Sequence, residues 1–197
     1  MGQLLMTMKL TDSISAITLP AGFRTHQYRR GADTLFSFED FRSQWIGIRD
    51  PNHGDEMASW FKTVYYDPHV PDDGFFLVVK GEKEMAASAC IQIGQRTPDS
   101  ATLHAVYTSD TYRGLGLGRA VVQQVINYAI EHGIHEIFLT TDDWRVPAIA
   151  LYLKMGFIPV FYEPDMRSRW TKICIDNGFK DIPVISENGV SELINVS

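Results

Sequence analysis

The chain has 197 residues, of which 45% are hydrophobic, and carries a formal net charge of −6 at neutral pH. That length supports one well-buried domain rather than two. The charge argues against general nucleic-acid binding, which needs clustered Lys and Arg in surplus to neutralise phosphates.

Taken in chain order, the opening MGQLLMTMKL has no basic segment ahead of a continuous apolar core, and no run approaches the roughly 18 apolar residues of a membrane span. A cytoplasmic protein with no membrane partner is expected. Cys90 and Cys174 form no CxxC pair, so neither a zinc knuckle nor a disulfide framework is indicated and the compartment is read as reducing. Residues 1–16 and 179–197 lack periodic pattern and are expected to be loosely held extensions of a single domain spanning 1–197, with its core over residues 20–176.

GFRTHQY (Gly22 to Tyr28) alternates as a first strand, and helix-spaced aromatics follow an N-cap candidate at Asp33. GDEMASWFKTVYY predicts a second helix. Two X-Pro steps and a Gly make DPHVPDDG a loop. From Phe75, FFLVVKGEKEMAASACIQIG predicts a hairpin turning at Gly81 to Lys83, and ATLHAVYTS a further strand. A glycine-rich loop then leads into a helix ending near Glu131, closed by His132 and Gly133. IHEIFLTT predicts a strand. Asp142 and Asp143 open a helix to Met155 that tolerates Pro147 in its first turn and stops at Gly156. FIPVFY and RWTKICI supply two last strands, giving a mixed α/β sheet.

The loop RGLGLGR, from Arg113 to Arg119, sits where a strand meets a helix N-terminus. It is not a P-loop, because the chain contains no Gly-Lys pair, and it is not a dinucleotide fingerprint, because Arg119 or Val121 falls on the third glycine position. What remains is a flexible, cationic backbone beside unpaired helix amides, suited to an anion; a tight connection with no ligand is the other reading.

Arg113, Gly116 and Gly118 have the spacing R-x-x-G-x-G, and AIALYLKMGF (Ala148 to Phe157) carries A-x-x-L-Y-x-K-x-G-F. Together these resemble the GNAT superfamily of acyl-CoA-dependent N-acyltransferases over roughly Phe75 to Trp170. The resemblance implies a mixed, mostly antiparallel sheet of about seven strands flanked by about four helices, with the fourth and fifth strands splayed. It also implies that acetyl-CoA is the co-substrate; no metal is expected, because His132 and His135 flank Gly133 at a helix end and the chain has no HExxH. The acetyl-CoA pyrophosphate would be cradled by Arg113, Gly114, Gly116, Gly118 and Arg119, and its pantetheine arm would pair with the main chain of Val106 and Thr108. Two positions depart from the family. Asp110 stands where Pro is common, and Arg145 stands where an Asn usually bonds the cofactor; Arg145 could reach a phosphate or pair with Asp142 or Glu163.

Acyl transfer to an amine needs a neutral amine, a polarised carbonyl and a protonated leaving thiol. Free amines resemble Lys, with a pKa near 10.4, so a base or water relay must remove a proton. Tyr152, whose hydroxyl stays protonated at neutral pH, is the candidate acid by chemistry and by motif; the alternative is a core aromatic on the face of Ala148, Leu151 and Met155. The amide of Thr108 would hold the carbonyl oxygen. His104 is the candidate base, in a segment similar to that of arylalkylamine N-acetyltransferases, and strand alternation puts it on the face of Val106 and Thr108, about 13 Å upstream of the latter. A satisfied structural histidine is the alternative, and Glu84 is a second base candidate. RSRWTKI (Arg167 to Ile173) is a basic patch that either meets an acidic acceptor or is a solvated edge.

The expected function is direct transfer of acetyl from acetyl-CoA to the primary amine of a small molecule, in an enzyme that could form a homodimer. The acceptor side would come from Phe41 to Gly74, whose Trp, Tyr and Asp content suits an amine with an apolar body. A protein N-terminus or lysine as acceptor, and a non-catalytic acyl-CoA-binding module, are the alternatives.

Overall fold

In the computed structural model, residues 2–11, 16–49, 54–186 and 188–194 are described. Their elements begin with β1 (Leu4–Lys9), β2 (Phe23–Tyr28), α1 (Phe38–Arg49), α2 (Gly54–Tyr65), β3 (Phe75–Lys80), β4 (Glu84–Ile93) and β5 (Ser100–Thr108). A single 3-10 turn (Asp110–Tyr112) leads to α3 (Leu117–Glu131), β6 (Glu136–Thr141), α4 (Val146–Met155) and β7 (Ile158–Val160). Then come α5 (Met166–Asn177), β8 (Ile182–Ile185) and β9 (Ser191–Ile194). The class is α/β, as expected, but the described residues hold nine strands and five α-helices rather than seven and four. The chain divides into two compact units, Leu10–His135 and Met1–Lys9 with Glu136–Ser197.

In the first unit, β2, β3, β4 and β5 pair in sequence order, each antiparallel to the next. The Gly81 to Lys83 turn falls where the sequence places it. β5 carries a bulge: His104 opposes Cys90 and Tyr107 opposes Ser88, so Ala105 and Val106 together face Ala89 alone. Ala105 takes the left-handed conformation, φ 56°. A bulge reverses side-chain parity along its strand, which corrects the expected alternation: His104 does not share a face with Thr108.

α1 and α2 cover the face of Phe75, Leu77 and Cys90, where an aromatic core of Tyr28, Phe41, Trp45, Phe61 and Tyr65 is buried. Tyr28 stacks on Phe41 at 3.9 Å. Each such side chain taken from water contributes about 1.5–3 kcal/mol. The cap of α1 is not Asp33. Ser37 and Asp40 form a reciprocal capping box, the Asp40 amide donating to Ser37 Oγ at 3.2 Å and the Ser37 amide to Asp40 Oδ2 at 3.2 Å. Asp33 instead accepts from the Leu35 and Phe36 amides, closing the turn before the helix. α3 covers the opposite face, with Val121, Val122, Val125 and Ala129 fully buried and the Gln124 side chain donating to the Leu77 carbonyl.

In the second unit β1 is an interior strand, antiparallel to both β6 and β7. Alternation could not reveal it, because Leu4, Leu5, Met6 and Thr7 are all buried and a strand covered on both faces does not alternate. β7 pairs β8 in parallel, and β8 and β9 form a hairpin that turns through Asn188 and Gly189 (φ 72°). Asn-Gly is a hairpin signal of the sequence itself.

RWTKICI is helix, not strand. Met166, Trp170, Ile173 and Cys174 are the buried residues of α5, a spacing of four, three and one that only a helix brings to one side. Gly178, left-handed at φ 68°, ends it.

Candidate active site

The bend after β5 begins where the Ser109 amide donates to the Ala86 carbonyl at 2.9 Å. Past the 3-10 turn, Gly114 and Gly116 hold φ 80° and 77°, which glycine alone adopts at no cost. Gly116 caps α3, and its carbonyl takes the first helical bond, from the Ala120 amide at 3.1 Å. The amides of Leu117, Gly118 and Arg119 precede that bond and have no acceptor inside the helix. No acidic residue stands in the first turn of α3 to offset the positive end of its dipole. A Cβ added at Gly114 or Gly116 would meet nothing within 4 Å, so the loop is open as well as flexible. Arg113 and Arg119 are exposed beside it. An open, acid-free helix N-terminus flanked by arginines fits a pyrophosphate.

Asp110, the position where the family favours Pro, organises the turn through its carboxylate. It accepts from the Tyr107 hydroxyl at 3.3 Å and pairs with Arg113 at 2.6 Å. Glu84 is tied to the same turn, accepting from the Tyr112 hydroxyl at 2.6 Å. Lys80 donates to that hydroxyl at 3.2 Å.

His104 belongs to a half-buried cluster on the other face of β5. Its ring meets Trp60 at 5.9 Å. The Arg49 guanidinium lies 4.0 Å from the Trp45 ring, 4.4 Å from Trp60 and 5.7 Å from Tyr107, and donates to the Ala105 carbonyl. Burial, and then the Arg49 charge, push the His104 imidazole below its ordinary value, against an upward pull from Asp67. The ring is therefore neutral at neutral pH, the form from which a base starts, while the same burial and charge weaken its hold on a proton. Cys90 stands directly across from it, but the thiol is fully buried and burial pushes it up to about 12, which rules it out as a nucleophile.

Tyr152 and Arg145 belong to the second unit. Tyr152 is 7% exposed on α4, with its ring edge-on to Phe157 at 5.8 Å. Pro147 lies in the first turn and Gly156 ends the helix at φ 98°, both as expected. Arg145 precedes α4, donates through Nε to Asp142 at 2.9 Å and lies over Trp144 at 4.5 Å. Of its two expected surface partners the structure forms the one with Asp142. The basic residues of RSRWTKI are paired within the same unit: Arg167 with Glu192, Arg169 with Asp143 and Lys172 with Asp176.

A model described as the acetyltransferase (GNAT) family matches residues 37–157, more than half of the chain. The chain belongs to that family. It is similar to a mycothiol acetyltransferase of Paenarthrobacter aurescens (strain TC1), 27% identical over 167 residues that cover 78% of this chain and 49% of that protein. It is also similar to an uncharacterized N-acetyltransferase of Schizosaccharomyces pombe (strain 972), 29% identical over 156 residues that cover 77% of this chain and 88% of that one. The chain spans about half the length of most of the curated relatives it matches first. Among solved structures, a GCN5-related N-acetyltransferase from Sphaerobacter thermophilus superposes with a TM-score of 0.58 at 20% identity, covering 79% of this chain and 47% of that one, a likeness of fold.

One residue that the sequence did not single out, Arg49, sits at the centre of the cluster beside His104. Its contacts with Ala105 and Tyr107 span more than fifty positions, and no local pattern announces them. It also changes the expectation for the acceptor side. The Trp45 and Trp60 faces, which would suit a ligand cation, already cover a cation of the protein. Residues 50–53 of that stretch lie outside the described residues. Among the described residues no three or more His, Cys, Asp or Glu side chains are grouped to hold a metal ion, and no helix is long and apolar enough to cross a membrane.

Proposed function

We propose that the protein is an N-acetyltransferase that passes acetyl from acetyl-CoA directly to the primary amine of a small molecule, with the whole chain serving one acyltransferase domain. The observation that carries this reading is the glycine loop, where two left-handed glycines with open space beside them lead into an acid-free helix N-terminus flanked by Arg113 and Arg119. In this reading Arg113, Gly114, Gly116, Gly118 and Arg119 bind the pyrophosphate. The main chain of Val106 and Thr108 orients the thioester arm, and the Thr108 amide stabilises charge developing on the carbonyl oxygen.

The ammonium form of the acceptor, with a pKa near 10.4, must lose a proton before attack, the nitrogen must lose a second as the amide forms, and the departing thiolate, whose conjugate acid is near 8.5, must gain one. His104, held neutral, accepts the first through water and passes it to solvent, the Tyr152 hydroxyl protonates the thiolate as the C–S bond breaks, and the second proton from nitrogen returns through water to the tyrosinate. Arg145 is kept as a phosphate contact only through exchange of its Asp142 partner. A buried, high-pKa Cys90 supports direct transfer over a covalent acyl-enzyme. The relatives named mycothiol acetyltransferase support a small-molecule acceptor over a protein one.

The test is release of free thiol from acetyl-CoA across a panel of small amines, lysine peptides and peptide N-termini. Turnover confined to small amines supports the proposal. Turnover with peptides alone moves it to a protein acetyltransferase, and binding without turnover on any acceptor leaves an acyl-CoA-binding module.

A further inference from the structure

We propose that Arg49 is a positioning residue for β5: from the last turn of α1 it holds the Ala105 carbonyl and so fixes the bulge that sets where His104 and the main chain from Val106 to Thr108 lie. The inference deepens the N-acetyltransferase reading and rests on it. Ala105 is left-handed at φ 56° without being a glycine, a conformation that persists only where the surroundings impose it. The bulge also leaves its extra residue outside the β4 ladder, so the Ala105 carbonyl needs a donor from elsewhere in the fold. Arg49 is that donor.

The guanidinium is itself held in place. Trp45, 1% exposed, lies 4.0 Å from it and Trp60 4.4 Å, and Tyr107 beyond the bulge is a third ring at 5.7 Å. Trp60 in turn meets the His104 ring. One side chain therefore touches the bulge, the residue after it and the aromatic that borders the residue before it. A planar fork can donate in one direction while its faces stack, which an ammonium cannot do. Rings and guanidinium together tie α1 and α2 to the strand from which the thioester contacts are drawn.

The experiment compares the wild type with Arg49→Met, Arg49→Lys and, as a surface control, the exposed Lys180→Met. It measures kcat with saturating acetyl-CoA and a turned-over amine, coenzyme A affinity by calorimetry, and hydrogen exchange of the Val106, Tyr107 and Thr108 amides without substrate. The proposal expects Arg49→Met to lose roughly 10- to 100-fold in kcat, as misplaced reacting groups do. It also expects coenzyme A affinity to fall by less than kcat does, because the glycine loop is untouched while the main chain that orients the thioester arm is loosened, and the three amides to exchange at least about 10-fold faster. Arg49→Lys should fall between, and Lys180→Met should match wild type. Wild-type kcat and wild-type exchange in a folded Arg49→Met overturn the proposal. Should Arg49→Met fail to fold, Arg49→Lys decides by the same measurements. A wild type that neither binds acetyl-CoA nor turns over overturns the N-acetyltransferase reading, and the exchange rates then test the positioning of the strand alone.

Discussion

His104 and Tyr107 are three positions apart on β5, yet they oppose Cys90 and Ser88, two apart on β4, and so point to the same face. Both meet the Arg49 and Trp60 cluster there. Thr108, opposite Ala87, points the other way. The bulge thus separates the candidate base from the strand end that leads into the glycine loop, and a proton passing from an amine to His104 would do so on the α1 and α2 side of the sheet.

The His104 environment has a consequence for stability. Its imidazole lies below the ordinary 6.5, lowered by burial and then by Arg49, with Asp67 opposing and the Cys90 thiol neutral across the ladder. A depressed folded pKa means that the unfolded chain takes up the proton first. The contribution is complete above about pH 6.5 and is lost as pH falls from there through the folded value. Urea unfolding at a series of pH values should give a shallower acid-side slope for His104→Gln than for wild type; equal slopes would contradict the depressed imidazole.

Gly116→Ala places a side chain at φ 77° with open space around it, so the cost is conformational rather than steric. Stability should fall by about 1–2 kcal/mol. Stabilisation by acetyl-CoA should fall further, because the cap that aims the α3 amides shifts. An unaffected ligand response in the variant would remove the loop from the binding site.

Tyr152→Phe keeps the ring against Phe157 and removes only the hydroxyl. If the hydroxyl protonates the leaving thiolate, kcat falls by about 10²–10⁴ while coenzyme A affinity holds. An unchanged kcat would return Tyr152 to a core aromatic.

The helical period of α5 predicts opposite outcomes at neighbouring positions. Trp170 is fully buried and Ile175 is 60% exposed. Trp170→Ala should cost about 3–5 kcal/mol and Ile175→Ala within about 0.5 kcal/mol. Comparable losses at both would be inconsistent with the helix.

The glycine loop before α3, the end of α4 at Gly156 and the turn after Lys80 are readable because their signals are local, each acting within a few residues. What escaped is long-range. β1 does not alternate because both its faces are buried, and α5 put Trp170, Ile173 and Cys174 close enough in sequence to imitate a strand. The bulge at Ala105 has no glycine to mark it; an alanine is held there by an arginine from α1. The Asn188 and Gly189 turn was legible in principle, and it marks a hairpin that a reading confined to hydrophobic period passes over.

The central claim is that the loop from Arg113 to Arg119 binds acetyl-CoA, and thermal unfolding with and without excess acetyl-CoA tests it most directly, beside an Arg113→Ala, Gly116→Val double variant. At 100 times its dissociation constant the ligand should stabilise the wild type by about 2.7 kcal/mol, a rise in Tm of roughly 5–10 °C for a chain of this size, with little or no shift in the variant. If acetyl-CoA leaves the wild type unmoved, the loop is only a connection between β5 and α3, and the roles given to Tyr152 and His104 fall with it.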